Sequence, residues 1–310
     1  MRIVFAGSPA AAVPSLEALA AEHEIAAVVT RAASPQGRKR VLTPTPVAAR
    51  AAELGLDVIE ANRLDAEATE RIAVLEPELA AVVAYGGLVR EPLLSLPQHG
   101  WINLHFSVLP DYRGAAPVQR ALIDGRSSTG VSVFRLVEEL DAGPLVRVRE
   151  VGIPDGATAG ELLAELAALG ATELAEAVRE IEAGTASFTE QVGSPSLAPK
   201  LALADGALDL TGPAPAVLSR WRGVTPEPGA HGTVDGQRVK LLALARSGAE
   251  PVPPGHATIA GRAAVVGTGS APLELVEVQP AGKRPMPGVD WLRGRGGTAA
   301  FELAPAEAGR

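Results

Sequence analysis

Short apolar runs alternate with stretches of helical spacing through the first half of the chain, and this alternation constrains the fold more than any other feature. Residues 2–6 form one such run, ending at Gly7. Residues 13–20 follow with helical spacing and Pro14 suited to a first turn. A second run covers 24–30. The spacing predicts a helix over 46–54, with Thr45 as its N-cap, Pro46 at its first position and Gly55 just past its end. Runs at 56–59, 79–85 and 101–105 continue the series, with helical stretches near 65–75 and 88–95. Strand and helix at this spacing make an α/β domain whose mainly parallel sheet is covered on both faces. Residues 131–137 and 145–151, joined by the turn Asp141-Ala142-Gly143-Pro144, are expected to add a hairpin to that sheet. A long amphipathic helix is expected from about 159 to 183.

The pattern changes at 189–205, where Gly193, Pro195 and Pro199 mark a linker. Beyond it come one helix, 214–222, and short alternating runs at 231–235, 238–246, 256–266 and 272–279. Gly and Pro separate these runs at about 8–12 residue intervals, the spacing of a small β-barrel or sandwich. The chain therefore reads as a first domain over 1–188, a linker over 189–205 and a second domain over 206–310. Charge divides the same way: 17 basic against 27 acidic residues up to 205, and 11 against 9 beyond. A net charge of −8 argues against indiscriminate nucleic-acid binding.

Of the 310 residues, 47% are hydrophobic and 21% charged, which excludes a disordered tail; with aromatics at 3% the core must be aliphatic. The chain has no cysteine, so disulfides, thiolate metal sites and cysteine nucleophiles are excluded. No stretch approaches 18 uninterrupted apolar residues, and the start lacks the apolar core of a signal peptide. A soluble, cytoplasmic protein with no membrane association is expected. A glycine turn after the first strand invites a dinucleotide, but Gly7 is followed by Ser8-Pro9-Ala10-Ala11-Ala12, one glycine where three are needed. The pair Gly267 and Gly269 lies in the strand-rich half before Pro272, and no Gly-Lys-Ser/Thr phosphate loop occurs. A pyrophosphate cofactor is not expected.

Chemistry concentrates around Trp101-Ile102-Asn103-Leu104-His105. Strand periodicity puts Asn103 and His105 on one side, roughly 6–7 Å apart. They sit at the strand's carboxyl end, where open α/β sheets bind ligands. Thirty-six residues after His105 lies Asp141. An amide, an imidazole and a carboxylate suit acyl transfer to an amine without a covalent intermediate. The amide N–H can stabilise an oxyanion. The imidazole can donate to that oxyanion or move protons between the incoming and leaving nitrogens. A carboxylate would hold the imidazole. Taken alone, a histidine at a strand end is more often a hydrogen-bonded structural residue, and Asp141 alone is a turn residue. Spacing does not separate these readings.

The segments INLHFSVLPDYRGAAPVQRAL and TGVSVFRLVEELDAGPLV strongly resemble the methionyl-tRNA formyltransferase family. FAGSPAAAVPSLEAL, GRKRVLTPTPV, VVAYG, APKLALADGALDL and VQPAGKRPM extend the likeness over nearly the whole chain. The resemblance implies a Rossmann-like catalytic domain followed by an OB-like β-barrel that helps hold RNA. It implies 10-formyltetrahydrofolate as formyl donor and the amino group of initiator methionyl-tRNA as acceptor, with no metal or nucleotide, in a monomer. By the same resemblance Asn103, His105 and Asp141 align with the catalytic trio, and Ser107, Val108, Leu109 and Pro110 with the folate-contacting segment. Arg38, Lys39 and Arg40 align with a loop at the acceptor stem, where three charges would otherwise read as a solvated turn.

Other positions stay open between two readings. Tyr85 and Gly86, with Gly87, either let the folate ring approach the backbone or form a plain strand-terminal turn. Arg113 and Gly114 either position the site loop or turn it. Lys283 and Arg284 are RNA candidates as exposed turn charges, whereas Trp221 between Arg220 and Arg222 reads equally well as core. The chain departs from the family pattern at Ala10-Ala11, at Asp111-Tyr112 and at Thr225-Pro226-Glu227-Pro228. Two rival functions remain: formyl transfer to a small-molecule amine, and a non-catalytic RNA-binding module on a relic enzyme fold. The basic loop and 206–310 argue against the first, the intact trio against the second.

Overall fold

In the computed structural model, which describes residues 1–37 and 40–303, the opening apolar run forms β1 (Arg2–Gly7), with Ile3, Val4, Phe5 and Ala6 fully buried. Burial on both faces is what a central parallel strand requires. Helix α1 (Val13–Glu22) leads to β2 (Glu24–Thr30), and a short hairpin of β3 (Ser34–Gln36) and β4 (Val41–Thr43) comes next. Helix α2 (Pro46–Glu53) is capped as its sequence predicts, the Thr45 hydroxyl accepting from Ala48 N–H at 3.0 Å. The series continues with β5 (Val58–Glu60), α3 (Ala66–Ala73), β6 (Leu79–Val83) and β7 (Trp101–His105). Then come α4 (Pro117–Ile123), β8 (Ser128–Arg135), β9 (Leu145–Gly152) and α5 (Ala159–Glu182).

The seven strands lie in the order β5-β2-β1-β6-β7-β8-β9. Pairing is parallel from β5 to β7 and antiparallel for β7 with β8 and β8 with β9, the expected parallel sheet with an added hairpin. Two expectations change. The stretch 88–95 contains only the single 3₁₀ turn Leu93–Ser95, because Pro92 and Pro97 leave no room for a longer helix and the Glu91 carboxylate takes both the Ser95 N–H and hydroxyl. Residues 34–36 and 41–43, on either side of the basic residues expected in a loop, pair as the β3–β4 hairpin; Arg38 and Lys39 lie outside the described residues.

The chain divides into two units. The first comprises Met1–Pro117, Ser128–Gly152 and Leu163–Pro199; the second takes Val118–Ser127, Ile153–Leu162 and the chain from Lys200 on. Residues 189–199, expected as linker, are hydrogen-bonded along the first unit. Thr189 and Leu145 exchange two backbone bonds, 2.7 and 2.9 Å, and Ala198 N–H donates to Arg113 O at 2.7 Å.

In the second unit, α6 (Ala214–Gly223) precedes β10 (His231–Val234), β11 (Gln237–Arg246), β12 (His256–Ala260) and β13 (Ala263–Val266). The run at 256–266 is thus two strands, turned at Gly261, whose φ is +62°. Strand β14 (Leu273–Pro280), β15 (Met286–Pro287), α7 (Gly288–Arg293) and β16 (Thr298–Ala300) complete it. The sheet is antiparallel, in the order β10-β11-β14-β13-β12-β16, with β15 on β14. Two register shifts bend β11 against β14. Just past β16, Glu302 N–H donates to Thr233 O of β10 at 2.8 Å, a bond that links the two outer strands. Trp221 is core here: it is buried, and its indole N–H donates to Leu241 O at 2.9 Å. Among the described residues no helix is long and apolar enough to cross a membrane.

Candidate active site

Strand β7 positions the first two groups. Trp101 is fully buried, with its indole N–H on Leu93 O at 2.8 Å, and Ile102 and Leu104 are buried on the other face. This anchoring fixes Asn103 and His105 at the strand's carboxyl end. Asn103 is half-buried, and no hydrogen bond to its amide occurs among the described residues. His105 is buried, and its Nε2 lies 2.8 Å from Tyr112 O. A carbonyl only accepts, so Nε2 carries the hydrogen and Nδ1 is the basic nitrogen of the neutral ring. Nδ1 faces Asp141 Oδ2 at 3.7 Å. The amide, imidazole and carboxylate expected to meet do so for the latter two, in direct apposition, with Asn103 two residues upstream on the same side.

Asp141 itself has φ +47°, left-handed, and its Oδ2 accepts from Gly114 N–H at 2.7 Å. Gly114 therefore has a definite task beside the site, and its φ of +121° together with the Ala198 carbonyl leaves no space for a side chain. The loop after β7 is closed on itself. Ser107 hydroxyl donates to Asp111 O at 2.5 Å, and Asp111 N–H to Val108 O at 3.1 Å. From β8, the fully buried Ser132 hydroxyl donates to Ser107 O at 2.7 Å and accepts from Leu109 N–H at 3.1 Å. Ser107 and Leu109 are buried, whereas Val108 and Pro110 are half-buried. Ser132 was legible as a lone hydroxyl within the apolar run Val131-Ser132-Val133-Phe134; such a group must find a buried partner. Ser196, whose hydroxyl accepts from Tyr112 N–H at 2.8 Å, sits in an irregular segment with no such signal.

The Tyr85 ring lies in the core with its hydroxyl on Ala61 O at 2.5 Å, so it offers no side chain to a ligand. The carbonyls of Tyr85 and Gly86 both accept from the Arg31 guanidinium, at 3.3 and 2.7 Å. Gly86 is exposed. Arg40, Lys283 and Arg284 are exposed, the last two in the turn between β14 and β15.

Burial pushes the His105 pKa below its ordinary 6.5, against the opposing pull of the Asp141 carboxylate and the bond to Tyr112 O. The imidazole is therefore neutral, hence a base, at neutral pH. A lowered folded-state pKa means that the unfolded chain binds the proton more readily. The stability from neutral His105 is complete above the unfolded value near 6.5 and is lost as pH falls through the lowered folded value. Melting temperatures of the wild type should fall more steeply below about pH 6.5 than those of His105→Gln. Parallel slopes for the two proteins would contradict this.

Comparison with known proteins matches residues 1–178 to the formyl transferase family and residues 200–296 to the formyl transferase C-terminal domain. The methionyl-tRNA formyltransferase of Leifsonia xyli subsp. xyli is 59% identical over 302 residues, 97% of this chain and all of that protein. That of Clavibacter sepedonicus is 57% identical over 297 residues, 95% of this chain and 97% of that one. Among solved structures, an N-formyltransferase from Helicobacter canadensis, in complex with folinic acid and dTDP-3-aminofucose, superposes with a TM-score of 0.67 at 14% identity, over 88% of this chain and 97% of that one. HypX from Aquifex aeolicus in complex with tetrahydrofolic acid gives 0.64 at 18% identity, over 94% of this chain and 47% of that one. At these identities the two structures share the fold.

Proposed function

The chain belongs to the formyl transferase family, and from that premise we propose that it moves the formyl group of 10-formyltetrahydrofolate to the amino group of methionine on initiator transfer RNA. The observation that carries the chemistry is the apposition of His105 Nδ1 and Asp141 Oδ2 beside Asn103 at the end of β7. The acceptor follows from the 59% identity, over nearly full length, to a protein that bears the name of that reaction.

In the reaction, the neutral amine attacks the formyl carbon and the carbonyl electrons move to oxygen. An Asn103 amide N–H stabilises that oxyanion. Because Nε2–H of His105 is committed to Tyr112 O, Nδ1 is the atom that takes the proton from the attacking nitrogen. Asp141 offsets the charge of the imidazolium that forms. The proton then passes to N10 as its bond to the formyl carbon breaks, and tetrahydrofolate leaves. Val108 and Pro110, with the exposed Gly86, form the folate surface, while Ser107, Leu109 and the Tyr85 ring hold that surface from within. All three reacting groups come from one chain, which supports a monomer, and the RNA substrate supports a cytoplasmic location.

Transfer to charged initiator RNA should exceed transfer to free methionine or other small amines by orders of magnitude. Comparable rates on small amines would favour the small-molecule reading. RNA contact is assigned to Arg38, Lys39 and Arg40 and to Lys283 and Arg284, because a chain of net charge −8 must bind phosphate through local patches. Replacing Arg38, Lys39 and Arg40 by Ala should raise KM for RNA and flatten the log–log salt dependence of binding by about two to three units. An unchanged slope and KM would return these residues to a solvated turn.

A further inference from the structure

We propose that Gln191 is a positioning residue, whose side-chain amide fixes the turn that carries Asp141 and so sets the approach of Asp141 to His105; this rests on the formyl-transfer reading above. Both N–H groups of the amide are used on that turn, donating to Asp141 O at 2.7 Å and to Gly143 O at 2.9 Å. Its Oε1 accepts from Arg113 Nε at 3.2 Å and Nη2 at 2.8 Å. The amide has one possible orientation. Reversed, its oxygen would face two carbonyls and its NH2 the guanidinium.

Arg113 is held in turn. Its Nη1 pairs with Glu139 Oε1 at 2.9 Å, and its backbone N–H donates to Ser196 O at 2.8 Å. Three separate stretches of chain thus meet through one side chain: the loop after β7, the turn before β9, and the segment after α5. Asp141 is gripped at both ends, its carboxylate by Gly114 N–H and its carbonyl by Gln191. The grip matters because Asp141 has φ +47°, a left-handed conformation that costs energy in a residue with a side chain. Without it, the turn relaxes and the 3.7 Å apposition with Nδ1 opens. Displacement of about 1 Å in a reacting group costs on the order of 10²-fold in rate.

Two variants separate positioning from mere support. Gln191→Glu keeps an acceptor for Arg113 but has no N–H for the two carbonyls; Gln191→Ala loses both. Each should lower kcat by about 10–10²-fold with KM for RNA and for folate within about twofold of wild type. Each should also move the NMR titration of the His105 imidazole, assigned by its loss in His105→Gln. The charged group that faces that imidazole is Asp141, and Arg113, with Glu139 paired to it, connects to the Asp141 turn through Gln191. Wild-type kcat and an unmoved titration in Gln191→Glu would overturn the proposal. If the wild type transfers no formyl group, the formyl-transfer reading falls. The titration then decides alone: moved in both variants it supports the positioning role, and unmoved it overturns it.

Discussion

Asn103→Ala is expected to lower turnover by about 10²–10³-fold, the loss that follows removal of one preorganised donor to an oxyanion. His105→Ala removes the proton carrier, and general acid–base groups contribute about 10²–10⁴-fold. Asp141→Ala should lose turnover through the same imidazole, which is left without the carboxylate that offsets its charge. Stability separates these roles from support. His105→Ala removes the bond to Tyr112 O, at a cost of about 0.5–1.5 kcal/mol, so assays belong well below the melting temperature. The Asn103 side chain has no hydrogen-bond partner among the described residues, and its removal should leave the melting temperature nearly unchanged. Variants that melt earlier yet turn over at wild-type rates when folded would make His105 and Asp141 structural.

Gly143→Ala should be nearly as damaging, without touching a reacting group. A Cβ at this position would lie 1.8 Å from Arg135 O and 3.0 Å from Arg135 C. That carbonyl is fixed: Arg135 closes β8, its N–H donates to Pro144 O at 2.9 Å, and its guanidinium lies 3.8 Å over the Phe188 ring. The clash must therefore displace the turn. Overpacking of this kind costs about 1–3 kcal/mol, and here the displaced segment carries Asp141 two residues away. A lowered melting temperature together with a loss of turnover of at least tenfold is expected, about what a 1 Å displacement costs. Because both changes act through one carboxylate, the double variant with Asp141→Ala should lose no more turnover than Asp141→Ala alone. Additive losses would show that Gly143 acts by another route.

Much of the first unit is legible from periodicity because its physics is local. Thr45, Pro46 and Gly55 bracket α2 by capping chemistry, and the buried runs that become β1, β2 and β6 are apolar on both faces. The stretch 88–95 misleads because helical spacing there is overridden by Pro92 and Pro97. The pair Asn103 and His105 follows from alternation along one strand. Its meeting with Asp141 does not, since the contact depends on a left-handed residue held by Gly114. Residues 189–199 are the clearest case. Gly193, Pro195 and Pro199 give them the composition of a linker, yet their backbone and the Gln191 and Ser196 side chains brace the site loop. No pattern of hydrophobicity marks such a segment, because its bonds run to residues more than 40 positions away.

The most direct test is single-turnover transfer, followed by rapid quench, from 10-formyltetrahydrofolate labelled in the formyl carbon to charged initiator RNA. With wild-type protein, label should leave the folate and appear in N-formylmethionyl RNA at one common rate, with none bound to protein at any time. His105→Ala and Asp141→Ala should slow both curves together. Label that lodges on the protein, or that never reaches the methionyl nitrogen, would contradict direct transfer at Asn103, His105 and Asp141.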